Sequence, residues 1–354
     1  VRAARCPVIC RRVGPPPLVA QCGPESEACQ AARPPGHGRG HASMGQQLSG
    51  AKLEDRYYLQ KVKLGQGSFG TVWRAVDRTS NDVVAVKQLD KASMPRRGVR
   101  RQDIEREITV MQDLSHENIT RLLVFFEDQS SIYMALEYCD GGDFGDKVKE
   151  RGLGLKEDEA ADWMRQIISG LVCLHGKSIC HRDIKPDNFM VHQGVLKLAD
   201  FGLALFLPKG RLLTEKCGTP AFMAPEQHKL PRLSRGYTCA CDVWAAGVTM
   251  YMLMFGGRHP FLSSGNQLDE QKLLQGTVDF NVAHGFLGFA GLSDLRYTEP
   301  ARQLCRRLVD ADANKRYTAE QAQQDRWLLL GSRKREASRP GLVRNGSAPL
   351  GELA

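Results

Sequence analysis

His181-Arg182-Asp183-Ile184-Lys185-Pro186-Asp187-Asn188 places a carboxylate, a cation and an amide within one short loop that Pro186 stiffens. Asp183 can orient and deprotonate an attacking hydroxyl, Lys185 can neutralise a transferring phosphoryl group, and Asn188 can ligate a metal. Downstream, Asp200-Phe201-Gly202 follows the apolar run Val195-Leu196-Lys197-Leu198. It supplies a second carboxylate, suited to a cation that bridges nucleotide phosphates. Ala224-Pro225-Glu226 ends the segment that begins there.

Toward the N-terminus, Gly65-Gln66-Gly67-Ser68-Phe69-Gly70 fits G-x-G-x-x-G, in which absent side chains let backbone N–H groups approach phosphate oxygens. The same spacing marks dinucleotide-binding turns, but those need a helix directly after the glycines. Here Tyr58 to Leu64 alternates as a strand before the loop, and Thr71 to Val76 continues as a strand after it. The loop therefore reads as a hairpin flap over a nucleotide. A turn through Arg78, Asn81 and Asp82 leads into a third strand, Val83-Val84-Ala85-Val86-Lys87. An isolated strand-end lysine is usually a solvated surface cation, but Lys87 behind this apolar strand can reach phosphates from inside a cleft. Ile104, Ile108, Met111 and Leu114 recur at helical spacing, and Glu107 on that face can pair with Lys87. A strand pair is expected through Leu122 to Phe126 and Ile132 to Leu136. Amphipathic segments then predict helices at 157–177, 238–255, 299–309 and 318–329. A strand-rich first third and a helical remainder predict two lobes.

Glycine loop, strand lysine, helix glutamate, H-R-D, D-F-G and A-P-E, in this order and spacing, make residues 57–328 resemble a eukaryotic-type serine/threonine protein kinase domain. The resemblance implies an α+β, bilobal fold: a small, mainly antiparallel β lobe with one key helix at 57–136, a linker at 137–140, and a larger, mainly helical lobe at 141–328. It implies ATP as phosphoryl donor, Mg²⁺ held by Asn188 and Asp200, and Asp183, Lys185, Lys87, Asn188 and Asp200 as the catalytic set. Leu64, Val72 and Ala85 would flank the nucleotide beside Gly65, Gly67, Ser68, Phe69 and Gly70. Leu136 would stand at the back of the adenine pocket, with Glu137 and Cys139 offering backbone groups to adenine and Asp143 at the rim near the ribose. Asp242-Val243-Trp244-Ala245-Ala246-Gly247 is similar to a buried helix of the large lobe, and Arg316 matches the arginine that pairs with the A-P-E glutamate, Glu226. The alternative is a kinase-shaped scaffold without catalysis. It predicts loss of Lys87, Asp183, Asn188 or Asp200, and all four are present.

Lys185 after H-R-D, together with Cys217-Gly218-Thr219-Pro220, is similar to serine/threonine rather than tyrosine kinases, with the calcium/calmodulin-dependent and calcium-dependent branch nearest. Protein substrates with Ser/Thr hydroxyls are the implied partners, and Thr219 is expected to hydrogen-bond near Asp183 and Lys185. No calcium-binding loop of the D-x-D-x-D-G form is expected after the domain. Asp143 and Asp187 stand where basophilic relatives contact an arginine upstream of the acceptor; alternatively Asp143 only binds ribose and Asp187 only caps its loop. On the basophilic reading Ser338, after Arg335, is a candidate self-modification site. Arg182 before the base implies control by a phosphate on the activation segment, 200–226. Thr214 is the expected acceptor. Glu215, however, stands about where related kinases carry a phosphothreonine, and a fixed carboxylate there supports partial constitutive activity.

The 354 residues carry a net charge of +9. Residues 1–43 hold six Arg and two Glu, and residues 331–354 five Lys+Arg and two Glu, so +2 remains for the rest of the chain. The basic tails contain no Phe or Tyr for base stacking, so a nucleic-acid partner is not expected. Both tails, 1–56 and 329–354, read as disordered. Eleven cysteines are too few for a disulfide scaffold, and Cys239 and Cys241 read as small hydrophobes in a reducing, cytoplasmic compartment. The run Val243 to Phe255 is too short for a membrane span and predicts a buried helix. The first methionine, Met44, opens a sequence that fits N-myristoylation of Gly45 if Met44 is the start, which would bring the chain to a membrane. The basic link Lys91 to Arg101 is expected to be a solvated loop, and the glycine-bearing stretch 283–298 irregular.

Overall fold

The computed structural model describes residues 52–66, 70–150, 155–263, 265–280 and 297–329. Met44, Gly45, Gly67, Ser68, Phe69, Ser338 and most of the stretch 283–298 lie outside these residues. After a short helix α1 (Leu53–Arg56), five strands form one antiparallel sheet: β1 (Tyr57–Gln66), β2 (Thr71–Asp77), β3 (Val83–Asp90), β4 (Leu122–Glu127) and β5 (Ser131–Glu137), in the spatial order β1-β2-β3-β5-β4. The β1–β2 register reaches Gln66 opposite Thr71, so the glycine loop is the tip of a hairpin. At Gly70 a Cβ would come within 2.1 Å of the Gln88 carbonyl oxygen. Only glycine lets the tip return so close to β3.

The alternation of the strands gives the sheet two apolar faces. One carries Tyr57, Val84, Val86 and Phe126 in a small cluster of its own. The other presents Leu89, Ile132 and Met134 to helix α2 (Arg101–Gln112), whose Ile104, Ile108 and Met111 join the main core. The preceding basic link is largely in solvent, as expected, with Arg96, Arg97, Arg100 and Arg101 exposed, but it is pinned to the lobe by the buried Met94 and Val99 and by Lys91 and Arg101 pairing with Glu127.

After β5 the chain becomes largely helical: α3 (Phe144–Glu150), α4 (Glu157–Gly176), α5 (Pro225–His228), α6 (Ala240–Met254), α7 (Glu270–Gln275), α8 (Glu299–Leu308) and α9 (Ala319–Gln323), with the short strand pairs β6 (Ile179–Cys180) to β9 (Leu205–Phe206) and β7 (Phe189–His192) to β8 (Val195–Leu198). Helix α6 is apolar all round and is buried from Cys241 to Met254, as the uncharged run predicts. No helix among the described residues is long and apolar enough to cross a membrane. Trp244 stacks on Phe261 at 5.4 Å, and Gly247 lets α8 approach so closely that a Cβ would meet Leu308 and Val309 at 2.7 Å. The segment expected as one helix at 318–329 is broken: α9 ends at Gln323, and Asp325 Oδ1 accepts the Trp327 N–H at 2.9 Å, starting a separate turn at 326–329. The local cap outweighs continuation.

Arg316 meets Glu226 through two hydrogen bonds of 2.8 and 2.9 Å and also donates to the Ala240 carbonyl, which ties the end of the activation segment to α6. The Arg316 side chain is fully enclosed. Arg316→Ala removes both guanidinium bonds of the partly exposed Glu226 and leaves a void where the enclosed side chain stood, and should cost about 2 kcal/mol of stability, read as a lower urea midpoint with unchanged slope.

Candidate active site

The strand β6 delivers His181 to the mouth of the cleft, and the first turn of α6 fixes the backbone of His181 and Arg182 there. Asp242 accepts the backbone N–H of His181 at 2.9 Å and of Arg182 at 2.8 Å, and pairs with His175 Nε2 at 3.1 Å. Burial alone would raise its carboxyl; the hydrogen bond and charge of His175 outweigh this and lower it. These bonds hold Arg182 at φ 70°, a left-handed conformation that a non-glycine residue rarely keeps without such support. The His181 ring packs edge-on against Phe201 at 5.0 Å. Burial lowers its pKa, so it is neutral, with Nε2–H donating to the Ala199 carbonyl and Nδ1 accepting the Asp183 N–H.

Asp183 is the hub. One carboxylate oxygen accepts from Lys185 Nζ at 2.8 Å and Asn188 Nδ2 at 2.9 Å; the other accepts from the Thr219 hydroxyl at 2.7 Å and its N–H at 3.0 Å. Lys185 also donates to the Thr219 hydroxyl at 2.7 Å, so the expected proximity of Thr219 holds. Burial raises the Asp183 carboxyl, but Lys185, Thr219 and Asn188 together bring it below its ordinary value. It is ionised at neutral pH. Gly218 stands where a Cβ would lie 2.4 Å from the Arg182 carbonyl oxygen, which lets the activation segment cross the catalytic loop.

Across the cleft, β3 and α2 bring Lys87 Nζ within 2.6 Å of Glu107 and 3.7 Å of Asp200. Burial would lower the ammonium pKa; Glu107 and Asp200 reverse that, and the net shift is upward. A cavity of about 190 Å³ opens beside this pair, walled by Leu64, Val72, Ala85, Leu136 and Met190 and edged by Glu137 to Asp140. The Glu137 N–H donates to the Arg121 carbonyl, so Glu137 faces a planar base with its carbonyl only. Burial pushes the Cys139 thiol up to about 12 and leaves it an inert wall. A larger open cleft of about 560 Å³ near Leu212 and Tyr237 has both its carboxylates paired already, Glu226 with Arg316 and Asp312 with Lys315. The chemistry lies in the smaller cavity.

Two placements refine the expectations. Asp140 and Gly142 line the cavity, and Asp143, next along the chain, accepts the Asp146 N–H at 3.0 Å at the start of α3. Arg182 donates to the Leu203 carbonyl at 2.7 Å and to Glu215 at 3.0 Å, while the unmodified Thr214 lies by the loop Leu230 to Arg235. Met111, Thr120, Met190 and Ala199 also line the cavity and were missed from sequence. Only the α2 face hinted at Met111; Met190 stands on the half-exposed face of β7, opposite the buried Phe189 and Val191.

The half-exposed Asp200 carboxylate lines the cavity, and the Asn188 amide, whose Nδ2 is spent on Asp183, keeps its oxygen as a second hard donor. This donor set fits a hard divalent cation.

A family model described as the protein kinase domain matches residues 58–328. A protein named as a probable myosin light chain kinase of Dictyostelium discoideum is 34% identical over 81% of this chain and 78% of its own length. CBL-interacting protein kinase 5 of Oryza sativa subsp. japonica is 36% identical over 79% of this chain and 57% of its own length. Calcium-dependent protein kinase 13 of Arabidopsis thaliana is 32% identical over 78% of this chain and spans twice the matched length, 50% of it being covered. Glu215 on Arg182 should order the activation segment without modification: Glu215→Ala is expected to speed amide exchange across residues 213–219, and Thr214→Ala to leave it unchanged.

Proposed function

The chain belongs to the protein kinase domain family, among the serine/threonine kinases, and from that premise we propose that it moves the γ-phosphoryl group of Mg-ATP to serine or threonine hydroxyls preceded by arginine. The observation that carries the reading is the Asp183 hub: an ionised carboxylate with Lys185, Asn188 and Thr219 already fixed upon it. Around it, Lys87 is locked by Glu107 in the position from which it orients nucleotide phosphates. Asp183 aligns the acceptor hydroxyl and takes its proton as the new bond forms. Lys185, 2.8 Å away, offsets charge on the transferring group. Asp200 and Asn188 would hold the magnesium ion, which neutralises the phosphates when bound.

Substrate arginine is the reading supported by a carboxylate cluster outside the nucleotide cavity. Gly145 has no side chain at a point only 3.0 Å from Asp143 Oδ1 and 3.3 Å from the Asp187 carboxyl carbon, so the two acids converge over it. Lys149 lies 3.7 Å from both Asp146 and Asp187 and occupies the place a substrate guanidinium would take. A guanidinium presents a planar fork of donors that can take both acids with paired hydrogen bonds, where an ammonium acts as a point charge.

Phosphotransfer from Mg-ATP to a generic basic protein tests the activity. Asp183→Asn should lower kcat by about 10² or more while nucleotide still binds, and Asp200→Asn should abolish the metal-dependent turnover. Retained turnover in both variants would refute the assignment. Burial, followed by the charges of Asp187 and Asp146, raises Asp143 to about 6. The ionised form is the one that attracts arginine, so the arginine preference is present above pH 6 and lost below it. The kcat/KM ratio between peptides with and without upstream arginine should fall as pH drops through about 6, and Asp143→Asn should flatten that profile.

A further inference from the structure

Thr120 is a polar residue, without a part in the phosphotransfer chemistry, in a cavity wall built mainly from apolar side chains. It stands just before β4 and lines the same cavity as Leu136, Glu137 and Ala199. Only 5% of its surface is exposed, and its hydroxyl has no hydrogen-bond partner among the described residues. The backbone around it is fixed from both sides. The Thr120 N–H donates to the Leu198 carbonyl at 2.9 Å and the Leu198 N–H to the Asn118 carbonyl at 2.9 Å, which holds residues 118–120 against β8. One residue on, the Arg121 carbonyl accepts the Glu137 N–H at 3.0 Å, which ties the other side to the segment at the cavity edge.

A buried hydroxyl without a partner weakens the folded chain, because it has left water and gained nothing in return. Valine has nearly the same shape and carries no such penalty. Buried polar side chains are in the large majority bonded, so a leftover hydroxyl on the wall of a ligand cavity points to the ligand as its partner. The side chain is also able to present it. One staggered step about Cα–Cβ exchanges the methyl and the hydroxyl.

We propose that the Thr120 hydroxyl binds the edge of the nucleotide base that carries the 6-amino group and N7, and so selects adenine. That edge sets a donor with two hydrogens beside an acceptor. The Glu137 carbonyl, whose own N–H is spent on Arg121, takes one amino hydrogen and leaves the rest of the edge unmet. A hydroxyl both donates and accepts. It takes the second amino hydrogen or gives its own to N7, and either bond removes the penalty that the free protein carries. Guanine has acceptors alone on this edge, and its O6 would face the Glu137 carbonyl, acceptor to acceptor.

The proposal rests on the reading of this cavity as the nucleotide site, so binding is measured apart from turnover. Calorimetry on the full chain gives dissociation constants for Mg-ATP, for 7-deaza-ATP, which lacks N7, and for purine riboside triphosphate, which lacks the amino group. Thr120→Val should weaken ATP about fivefold, the worth of one net hydrogen bond, and leave unchanged whichever analogue lacks the bonded atom. Thr120→Ser keeps the hydroxyl and should retain the preference for ATP over that analogue. Without nucleotide, the Thr120→Val chain should melt higher than the parent, because the unpaired hydroxyl is gone; a lower melting temperature shows a partner inside the protein and overturns the proposal. So does an unchanged ATP affinity, or an equal weakening of ATP and both analogues, whatever the turnover. If ATP binds in the Thr120-dependent way but no phosphoryl group moves, the kinase reading fails and the base contact stands. A chain that binds none of the three nucleotides overturns both.

Discussion

A single buried carboxylate, Asp242, holds the catalytic loop in place. It sits in the first turn of α6, a helix buried on every side, and takes two successive backbone donors from His181 and Arg182. Each buried N–H left without a partner would cost about 1–3 kcal/mol, and Arg182 is in addition held at a positive φ. The carboxylate therefore does more than fasten a loop to a helix. It stabilises a backbone conformation the chain would not otherwise adopt, and that conformation turns Arg182 toward the activation segment and Asp183 toward the cleft. His175, from the end of α4, supplies the charge that keeps Asp242 ionised in a dry setting.

From that anchor the site is assembled largely by pairs that are remote in sequence. Thr219 joins Lys185 on Asp183 from the far end of the activation segment, and Glu107 reaches Lys87 from helix α2. Arg106, next to Glu107, donates to the Ala204 carbonyl beyond the D-F-G turn. The small lobe's helix is thus hydrogen-bonded to the start of the activation segment, so the position of α2 and the state of that segment move together. The interactions differ in strength. The Lys87–Glu107 pair is buried and short, whereas the Arg182–Glu215 pair has a carboxylate that is 66% exposed, and solvent screening makes such a pair weak and sensitive to salt. A phosphate would hold the segment more firmly than Glu215 does, because it offers more charge and more acceptor oxygens.

Much of this was legible in the chain before folding. The strand after the glycine loop excluded a dinucleotide turn, and β2 takes that place in the structure. The run Val243 to Phe255 read as a buried helix, and α6 is one. Arg316 was matched to Glu226 across 90 residues and bonds it at two points. What was not legible has a common cause. Asp143 could be placed by position in a pattern, but that its side chain takes the Asp146 N–H depends on how α3 begins. The charge of the link at 91–101 spoke for its exposed arginines, while its path is decided by the burial of Met94 and Val99.

The sequence by itself determined the order of elements, the identities of the acid, the cations and the amide, and the class of reaction they suit. These derive from residue type and local spacing, because hydrophobic period and turn chemistry act over a few residues. Only the tertiary structure decided that Glu215 meets Arg182, which residues line the cavity, and that Cys180 lies against Cys241. Those outcomes depend on where side chains from distant segments arrive once the core has closed. One residue of register along an extended segment turns a side chain to the opposite face, so counting along the chain cannot settle them.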